Sequence, residues 1–453
     1  MKRTLSLLII SSLFFGLMII NVNAIPIRNE KSGNEGKANV LDQYPTGKEP
    51  SSANDFYGQG MLYLSRNMYQ EAGEQFRKAL KIDPNHVYSM VGIIAISLKL
   101  GDEESAKEFS SKAIKLKPDD VELRNLIGER WMRDAGSPKY LPEAESRFKE
   151  ALLINPKFMP AHVNLARLYL SENKIDDGIK EYNEAISIQP QNPELRRELA
   201  YVYLNIGKVD EGLIEAKKMV ELAPQNPLYH NGLGELYLNK RQLEEALNEF
   251  QQAVKLNPKY YPAYVNIGKV YIAQGQFDKA ISEINKSIAN EPDYGDAYAV
   301  LGDIYLVRGK NQNAIELYKK AIAEKATKKL SIPNFISVLN NLAYLYSEEN
   351  NDLDTALSYA KKANQLAPKH PSISDTLGWI YYQKGNYDEA ISNLKVAVEG
   401  SPNNPIIRYH LGSAYYKKGL KDQAVVELKK SLDISDKFKG ADDAKLILTE
   451  IGK

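Results

Sequence analysis

Small, aromatic and polar side chains recur along most of this chain with a period of 34 residues. In units of that length, the eighth residue is small in ten of eleven units and the eleventh is aromatic in ten of eleven. The twentieth residue is alanine or glycine in all eleven. Residues 8 and 11 share one face of a helix, and small residues on two facing helices let their backbones approach closely. The pattern therefore predicts an array of helical pairs with most of the aromatic rings packed inside it.

Prolines mark the end of most units. Proline cannot donate a backbone hydrogen bond and disfavours helix in the residue before it, so a proline at position 32 ends the second helix. The prolines at this position are Pro84, Pro118, Pro156, Pro190, Pro224, Pro258, Pro292, Pro368 and Pro402. The units then begin at Ala53, Val87, Val121, Met159, Pro193, Pro227, Tyr261, Gly295, Ile336, Pro371 and Pro405. The steps between these starts are 34 residues, except for 38 after Val121, 41 after Gly295 and 35 after Ile336.

The first helix of most units is predicted to end at position 15. This position holds glycine or asparagine, the residues most tolerant of a left-handed backbone. They are Gly101, Gly207, Gly275, Gly309, Gly385, Gly419, Asn67, Asn173 and Asn350. Each predicted helix has about 12 to 14 residues, too short to be stable alone, so stability must come from stacking of neighbouring units.

This pattern resembles that of the tetratricopeptide repeat (TPR) family. The matching residues are seen in Asp375-Thr-Leu-Gly-Trp-Ile-Tyr381, followed by Tyr387-Asp-Glu-Ala390 and Pro402. The resemblance implies an all-α fold, a right-handed α-solenoid of about eleven helix pairs over residues 53–436 whose first helices line a concave groove. Departures from the pattern are Ile94, Ser97, Arg241 and insertions near Gly136 and Ile332, which are either lids or tolerated loops.

The two ends of the chain are predicted to lie outside the repeats. Lys2 and Arg3, the apolar run from Leu5 to Ile20 and Val22-Asn-Ala24 are typical of a secretory signal peptide over residues 1–24. A retained anchor is the alternative, although the apolar run is short for a membrane span. Residues 25–52 are polar and predict a flexible linker. Residues 437–453 predict a capping helix, because Ala444, Ile447, Leu448 and Ile451 lie on one face.

Composition argues against nucleic acid as the partner. The chain has a formal net charge of +1, which becomes −1 if Lys2 and Arg3 leave with the signal. Position 9, expected to face the groove, carries both signs of charge. Its residues include Glu129, Arg167, Tyr201, Glu235, Lys269 and Asp303.

No arrangement of residues predicts catalysis, a cofactor or a metal ion. The five histidines, His86, His162, His230, His370 and His410, have no second histidine at metal-ligand spacing, and are interpreted as packing or surface residues. The chain contains no cysteine, which excludes disulfides and a lipoprotein anchor on this sequence. The chain is therefore expected not to be an enzyme.

Two functions fit these observations. The favoured one is a scaffold of the cell envelope, periplasmic or extracellular, that holds a protein or an extended peptide in its groove and has no integral membrane span after signal removal. The alternative is an accessory role in exopolysaccharide synthesis or export, with contacts to glycan or to synthase components. It rests on a resemblance of the last two repeats and of the ending from Phe438 to envelope TPR proteins of exopolysaccharide and PEP-CTERM systems.

A candidate partner-binding site lies in repeats 9 to 11, where positions expected to face the groove become aromatic. Large amphipathic rings at the centre of a concave surface are common interface anchors and also stack on sugars. The alternative is that the rings fill space between repeats. The predicted site residues are Tyr344 and Trp379 at position 9, Tyr382 and Tyr416 at position 12, and Tyr409 at position 5.

Overall fold

The computed structural model describes residues 51–134, 137–349 and 352–452, and these residues are helical with no strand among them. They fall into two compact units that divide between Leu222 and Ala223. The predicted signal peptide and almost all of the predicted linker lie outside the described residues, as do Gly136 and Asn350.

The first unit contains five helix pairs, one for each of repeats 1 to 5. A 3₁₀ turn, Pro138–Tyr140, precedes the second helix of repeat 3. The helices are α1 (Ala53–Ser65), α2 (Tyr69–Ile82), α3 (Val87–Leu100), α4 (Glu103–Leu116), α5 (Val121–Asp134), α6 (Leu141–Ile154), α7 (Met159–Ser171), α8 (Ile175–Ile188), α9 (Pro193–Asn205) and α10 (Val209–Leu222).

The second unit contains repeats 6 to 11 and two further helices. One of these is a single turn, α17, and the other, α24, follows the last repeat. The helices are α11 (Pro227–Asn239), α12 (Leu243–Leu256), α13 (Tyr261–Ala273), α14 (Phe277–Asn290), α15 (Gly295–Val307), α16 (Asn311–Ala321), α17 (Glu324–Thr327), α18 (Ile332–Glu348), α19 (Leu353–Leu366), α20 (Pro371–Gln383), α21 (Tyr387–Gly400), α22 (Pro405–Lys417), α23 (Lys421–Ile434) and α24 (Ala441–Ile451).

Ten of the eleven predicted unit starts are the first residue of a helix. The exception is repeat 9, where α18 begins at Ile332, one turn before the predicted repeat start at Ile336. Pro333 lies in the first turn of this helix, where its missing N–H costs nothing and its fixed φ favours helix. The insertion near Ile332 is therefore helical and is not an irregular loop.

The two helices of a repeat approach closely where a ring lies over glycine. In repeat 6 the Phe250 ring of α12 covers Gly234 of α11 so closely that a Cβ on this glycine would lie 2.6 Å from Phe250 Cε1. Phe76 and Tyr318 make the same contact with Gly60 and Gly302. Position 8 is therefore small because the side chain at position 24 of the repeat, which lies on the second helix, fills the space above it.

The predicted turn at position 15 is confirmed wherever the structure describes it. All six glycines at this position have positive φ, as do Asn67 and Asn173. Arg241, a departure from the glycine pattern, also has a φ of 59°. The backbone conformation is thus kept even where the residue does not favour it.

A basic side chain at position 4 joins the two helices of several repeats, and we call this contact the basic clamp. In each clamp the side chain binds a glutamate of the second helix, at position 23 in four clamps and at position 26 in the clamp of Arg124, so neither charge is buried alone. The pairs are Arg124–Glu150 at 3.6 Å, His162–Glu181 at 2.6 Å, Arg196–Glu215 at 2.7 Å, His230–Glu249 at 2.6 Å and Arg408–Glu427 at 2.5 Å.

Four of these side chains also reach the carbonyl oxygen of the proline that ends the preceding repeat. The clamp therefore ties the two helices of a repeat to the turn that precedes them. The distances are 3.0 Å for His162 to Pro156, 3.3 Å for Arg196 to Pro190, 2.9 Å for His230 to Pro224 and 2.6 Å for Arg408 to Pro402. Two of the five histidines thus stabilise the array through hydrogen bonds, a more specific role than general packing.

Helix α24 covers the end of the last repeat, as predicted for a capping helix. Ala444 is fully buried, and Ile447, Leu448 and Ile451 pack partly buried against the same core cluster. This cluster includes Leu428 of the last repeat. The helix therefore removes from water an apolar edge that the last repeat would otherwise expose.

Candidate partner-binding surface

The first helices of neighbouring repeats are joined by contacts between position 9 of one repeat and position 6 of the next. We call each such contact a joint. Four joints are polar, and they explain why position 9 varies in charge. They are Glu129–Asn164 at 3.0 Å, Arg167–Glu198 at 2.6 Å, Glu235–Asn266 at 3.1 Å and Asp303–Asn341 at 3.1 Å.

The polar joints satisfy their own hydrogen-bonding groups. Asn164 donates to both Glu129 and Asn125, at 3.0 and 2.9 Å, and Asn125 donates to the same carboxylate of Glu129 at 2.9 Å. Asn125 and Asn164 are almost fully buried. A partner that approaches these joints meets groups that already have hydrogen-bond partners, so these joints offer it little to bind.

Asp303 in the joint of repeats 8 and 9 has an unusual proton affinity. It accepts hydrogen bonds from Tyr318 Oη at 2.6 Å and from Asn341 Nδ2 at 3.1 Å. Burial raises the pKa of Asp303 to about 6 from an ordinary value of 3.8, although both hydrogen bonds and the charge of Lys269 act in the opposite direction.

Asp303 should therefore make the second unit less stable as the pH rises. A carboxyl whose pKa is raised in the folded state makes its full contribution to stability at pH values below its pKa in the unfolded state. This contribution is lost as the pH rises through its pKa in the folded state. As the pH rises from 4 to 7, we expect the unmodified protein to lose roughly 2–3 kcal/mol of stability relative to Asp303→Asn, because the amide of the variant does not titrate. Urea unfolding of both proteins at a series of pH values measures this difference. A constant difference over this range would contradict the assignment.

The joint between repeats 10 and 11 is aromatic. The rings of Trp379 and His410 stack with centroids 4.0 Å apart and planes 20° apart. On its other side Trp379 stacks on Tyr382, at 4.5 Å and 12°. Tyr409 lies 6.0 Å from the same indole. These four rings are called the aromatic cluster below, and the predicted neighbours at positions 9 and 12 are indeed in contact.

Glu348 lies beside the aromatic cluster, at the last turn of α18. Its Oε1 accepts from Trp379 Nε1 at 3.3 Å and from Gln383 Nε2 at 3.2 Å, and its Oε2 binds Lys439 Nζ. Burial by itself would raise the pKa of Glu348, but the hydrogen bond and charge of Lys439 and the hydrogen bond from Trp379 lower it below the ordinary value. Glu348 is therefore ionised at neutral pH and supplies a negative charge next to the rings.

The segment between α23 and α24 contacts the aromatic cluster. Phe438 lies 6.0 Å from Tyr409, and Lys439 lies 5.8 Å from the Tyr344 ring. Gly440 has a φ of 103°, and a Cβ there would collide with the Tyr409 ring. The turn after Phe438 is therefore possible only because residue 440 is glycine.

Helix α24 adds two polar contacts to the same surface. Tyr409 Oη donates to Asp443 at 3.3 Å, and Tyr416 Oη donates to Glu450 at 2.7 Å. Burial and the Asp443 carboxylate raise the pKa of Tyr409 to about 12. The C-terminal residues thus hold the hydroxyl groups of two predicted site tyrosines.

The structure brings three of the five predicted site residues, Trp379, Tyr382 and Tyr409, into one cluster. Tyr344 and Tyr416 lie apart from the cluster, and each contacts a different C-terminal residue, Lys439 and Glu450 respectively. Four of the five are half-buried, whereas Tyr409 is only 9% exposed. Tyr409 therefore supports the surface from beneath, and the exposed area comes from the other four.

Sequence reasoning missed four residues of this surface: Glu348, His410, Phe438 and Lys439. Glu348 and Lys439 are 91 residues apart, so no spacing within a repeat could pair them. The signal in the sequence that could have revealed this segment was Gly440. A glycine beyond the last repeat indicates a sharp turn of the chain at this point.

The described part of the chain offers neither a metal site nor a membrane-spanning helix. No group of three or more His, Cys, Asp or Glu residues there is arranged to hold a metal ion. Within the same residues, none of the helices has both the length and the apolar character needed to cross a bilayer.

Several family models match the chain, and their matches together cover most of residues 53–438. A model described as TPR repeat matches residues 166–207 and 378–419. Models described as tetratricopeptide repeat match residues 53–86, 95–120, 197–261, 237–304, 297–330, 336–370 and 406–438. The chain belongs to the tetratricopeptide repeat family, and it is a protein–protein interaction scaffold of that family.

Solved structures of other helical-repeat proteins are similar in fold. Cut9 in the APC/C hetero-tetramer Cut9-Hcn1 is 20% identical with a TM-score of 0.49, and the match covers 88% of this chain and 76% of that one. Yeast Tom70 is 16% identical with a TM-score of 0.41, covering 88% and 95%. MamA is 29% identical with a TM-score of 0.31, covering 36% and 96%. No curated protein matches the sequence.

Proposed function

We propose that this chain is a non-enzymatic scaffold exported to the cell envelope, where it binds an extended segment of a protein partner on the inner side of repeats 9 to 11. The observation that carries the proposal is the aromatic joint formed by Trp379 and His410. Its rings offer apolar area for a partner, whereas the hydrogen-bonding groups of the four polar joints already have partners within each joint.

The character of this surface favours a peptide as the ligand. Half-buried tyrosine and tryptophan rings provide contact area at low entropic cost, and ionised Glu348 beside them favours a basic group. A glycan partner remains a prediction from the sequence, and the capture experiment below includes a test of it.

Partner capture should depend on the rings. We expect Trp379→Ala and Tyr416→Ala each to weaken capture from an envelope extract by about 1–3 kcal/mol. Tyr201→Ala is a matched control, because Tyr201 holds position 9 in repeat 5 and lies outside the proposed surface. Because Trp379 is stacked on both sides, each variant is compared after its folded fraction has been measured by circular dichroism. Loss of stability with unchanged capture would assign the rings to packing, and capture of polysaccharide alone would favour the glycan alternative.

Export is tested separately at the N-terminus. Lys2, Arg3 and the apolar run that ends before Val22-Asn-Ala24 favour cleavage after Ala24. N-terminal sequencing of protein isolated from its native host should therefore begin at Ile25. An intact Met1 or Lys2 on membrane-bound protein would instead indicate a retained anchor.

A further inference from the structure

We infer that the aromatic cluster recognises a protein segment carrying an aromatic residue followed by lysine, and that Phe438 and Lys439 of this chain occupy the same position in the unbound protein. The inference rests on the proposed function and adds the chemistry of the partner and the regulation of its access. The residues between the last repeat and α24, 435–440, are called the C-terminal strap.

The contacts of the strap define the chemistry of its binding site. Phe438 packs against Tyr409, with ring centroids 6.0 Å apart. Lys439, the next residue, binds Glu348 and lies over the Tyr344 ring. An apolar subsite and an anionic subsite therefore stand one residue apart along a bound chain. A segment with an aromatic residue followed by lysine satisfies both, because lysine can pair with the carboxylate and with the face of the tyrosine.

A capping role accounts for α24 and for part of the packing of Phe438, but not for Lys439. Ala444, Ile447, Leu448 and Ile451 form the apolar face that packs on the last repeat, and Phe438 packs against the same cluster. Glu348 belongs to repeat 9, two repeats away from the edge that the cap covers. The Lys439 side chain is 59% exposed, and an ion pair with such an exposed partner contributes little stability. Its position is better explained by recognition at Glu348 than by stabilisation.

The strap can leave its site while the cap stays in place. Ala441 and Ala444 are buried and hold the start of α24, whereas Lys439 is exposed and Phe438 is half-buried. The strap is also tethered at both ends, which keeps it at a high effective concentration near the site. A free partner then competes with the strap, and its apparent affinity is lowered by the fraction of molecules in which the site is closed.

The test uses the full-length chain and a synthetic peptide with the sequence of residues 435–444, blocked at both ends. Binding is measured by titration calorimetry and by the fluorescence of Trp379, since the other tryptophan, Trp131, is fully buried in the first unit. Phe438→Ala/Lys439→Ala is the first variant with a weakened strap. Gly440→Ala is the second, because its Cβ would collide with Tyr409 and so displace the strap without changing its recognition residues.

We expect both strap variants to bind the peptide about tenfold more tightly than the unmodified chain. Adding Glu348→Gln to either variant should weaken binding by roughly threefold to fivefold, since the amide cannot pair with the lysine charge and an ion pair with so exposed a partner is weak. A peptide with alanine in place of its phenylalanine and lysine should not bind. Equal binding by all variants, or no binding by folded strap variants, overturns the inference.

This result is independent of partner capture from an extract. If the strap variants bind the peptide but capture no protein from the envelope, the recognition site stands and the proposed envelope function fails. If capture depends on Trp379 while the peptide fails to bind, the scaffold function stands and the inference about the strap fails.

Discussion

Replacing Phe250 by alanine is expected to lower the free energy of unfolding of the second unit by about 3–5 kcal/mol, because the ring is fully buried and its removal leaves a cavity between two helices. The ring fills the space above Gly234, which has no side chain to move into the gap. Leu238, Ile267 and Val270, which belong to the same cluster, would lose contacts as well.

Phe250→Leu is the matched control for this cavity. Leucine occupies the corresponding position in the last two repeats, where Leu394 and Leu428 pack against Gly378 and Gly412. We expect this variant to cost about 1–2 kcal/mol, since most of the volume is kept. Chemical denaturation gives both values, and hydrogen exchange should place the loss in repeats 6 and 7. Equal losses of stability in the two variants would show that the cavity is not the main cause of the destabilisation by Phe250→Ala.

Glu215→Ala is expected to destabilise the first unit by about 3 kcal/mol, because it leaves the Arg196 guanidinium of a basic clamp buried without its counter-charge. The side chains of Arg196 and Glu215 are only 14% and 13% exposed. The remaining contact of Arg196 is the Pro190 carbonyl at 3.3 Å, which cannot replace a carboxylate.

A double variant separates the destabilisation caused by an unpaired Arg196 from the contribution of the ion pair to stability. Repeat 9 has Leu339 in place of the clamp's basic residue and Tyr359 in place of its glutamate, and both belong to one apolar cluster. Arg196→Leu/Glu215→Tyr should therefore recover stability to within about 1 kcal/mol of the unmodified protein. A double variant that is less stable than Glu215→Ala would mean that the ion pair itself stabilises the fold. Urea denaturation of the unmodified protein, Glu215→Ala and the double variant measures these differences in stability.

The helix pairs could be predicted because they depend on chemistry within one repeat. Glycine at position 8, the ring at position 11 and proline at position 32 each act on residues close in sequence. Repeat 9 shows the limit of this reasoning. The period places the start of the repeat at Ile336, but it does not reveal that α18 begins one turn earlier, where Pro333 favours the start of a helix.

The candidate surface was predicted only in part, because it depends on contacts between repeats. The aromatic residues at positions 9 and 12 could be found by aligning the units. The burial of Tyr409 at position 5 could not, since this ring packs against Phe438 and Gly440 beyond the last repeat. The pairing of position 9 with position 6 was hidden in the same way, because its members lie 31 to 38 residues apart.

The joints also restrict how this array can change its length by recombination. Loss of repeat 4 alone would keep the period but would bring Glu129 of repeat 3 to the position where it faces Glu198 of repeat 5. Each of these carboxylates now has its own partner, Asn164 or Arg167, and both partners would be lost with the deleted repeat. Two carboxylates in one enclosed joint repel each other. The order of the repeats is therefore constrained by side chains, because neighbouring repeats carry matched residues at their joints.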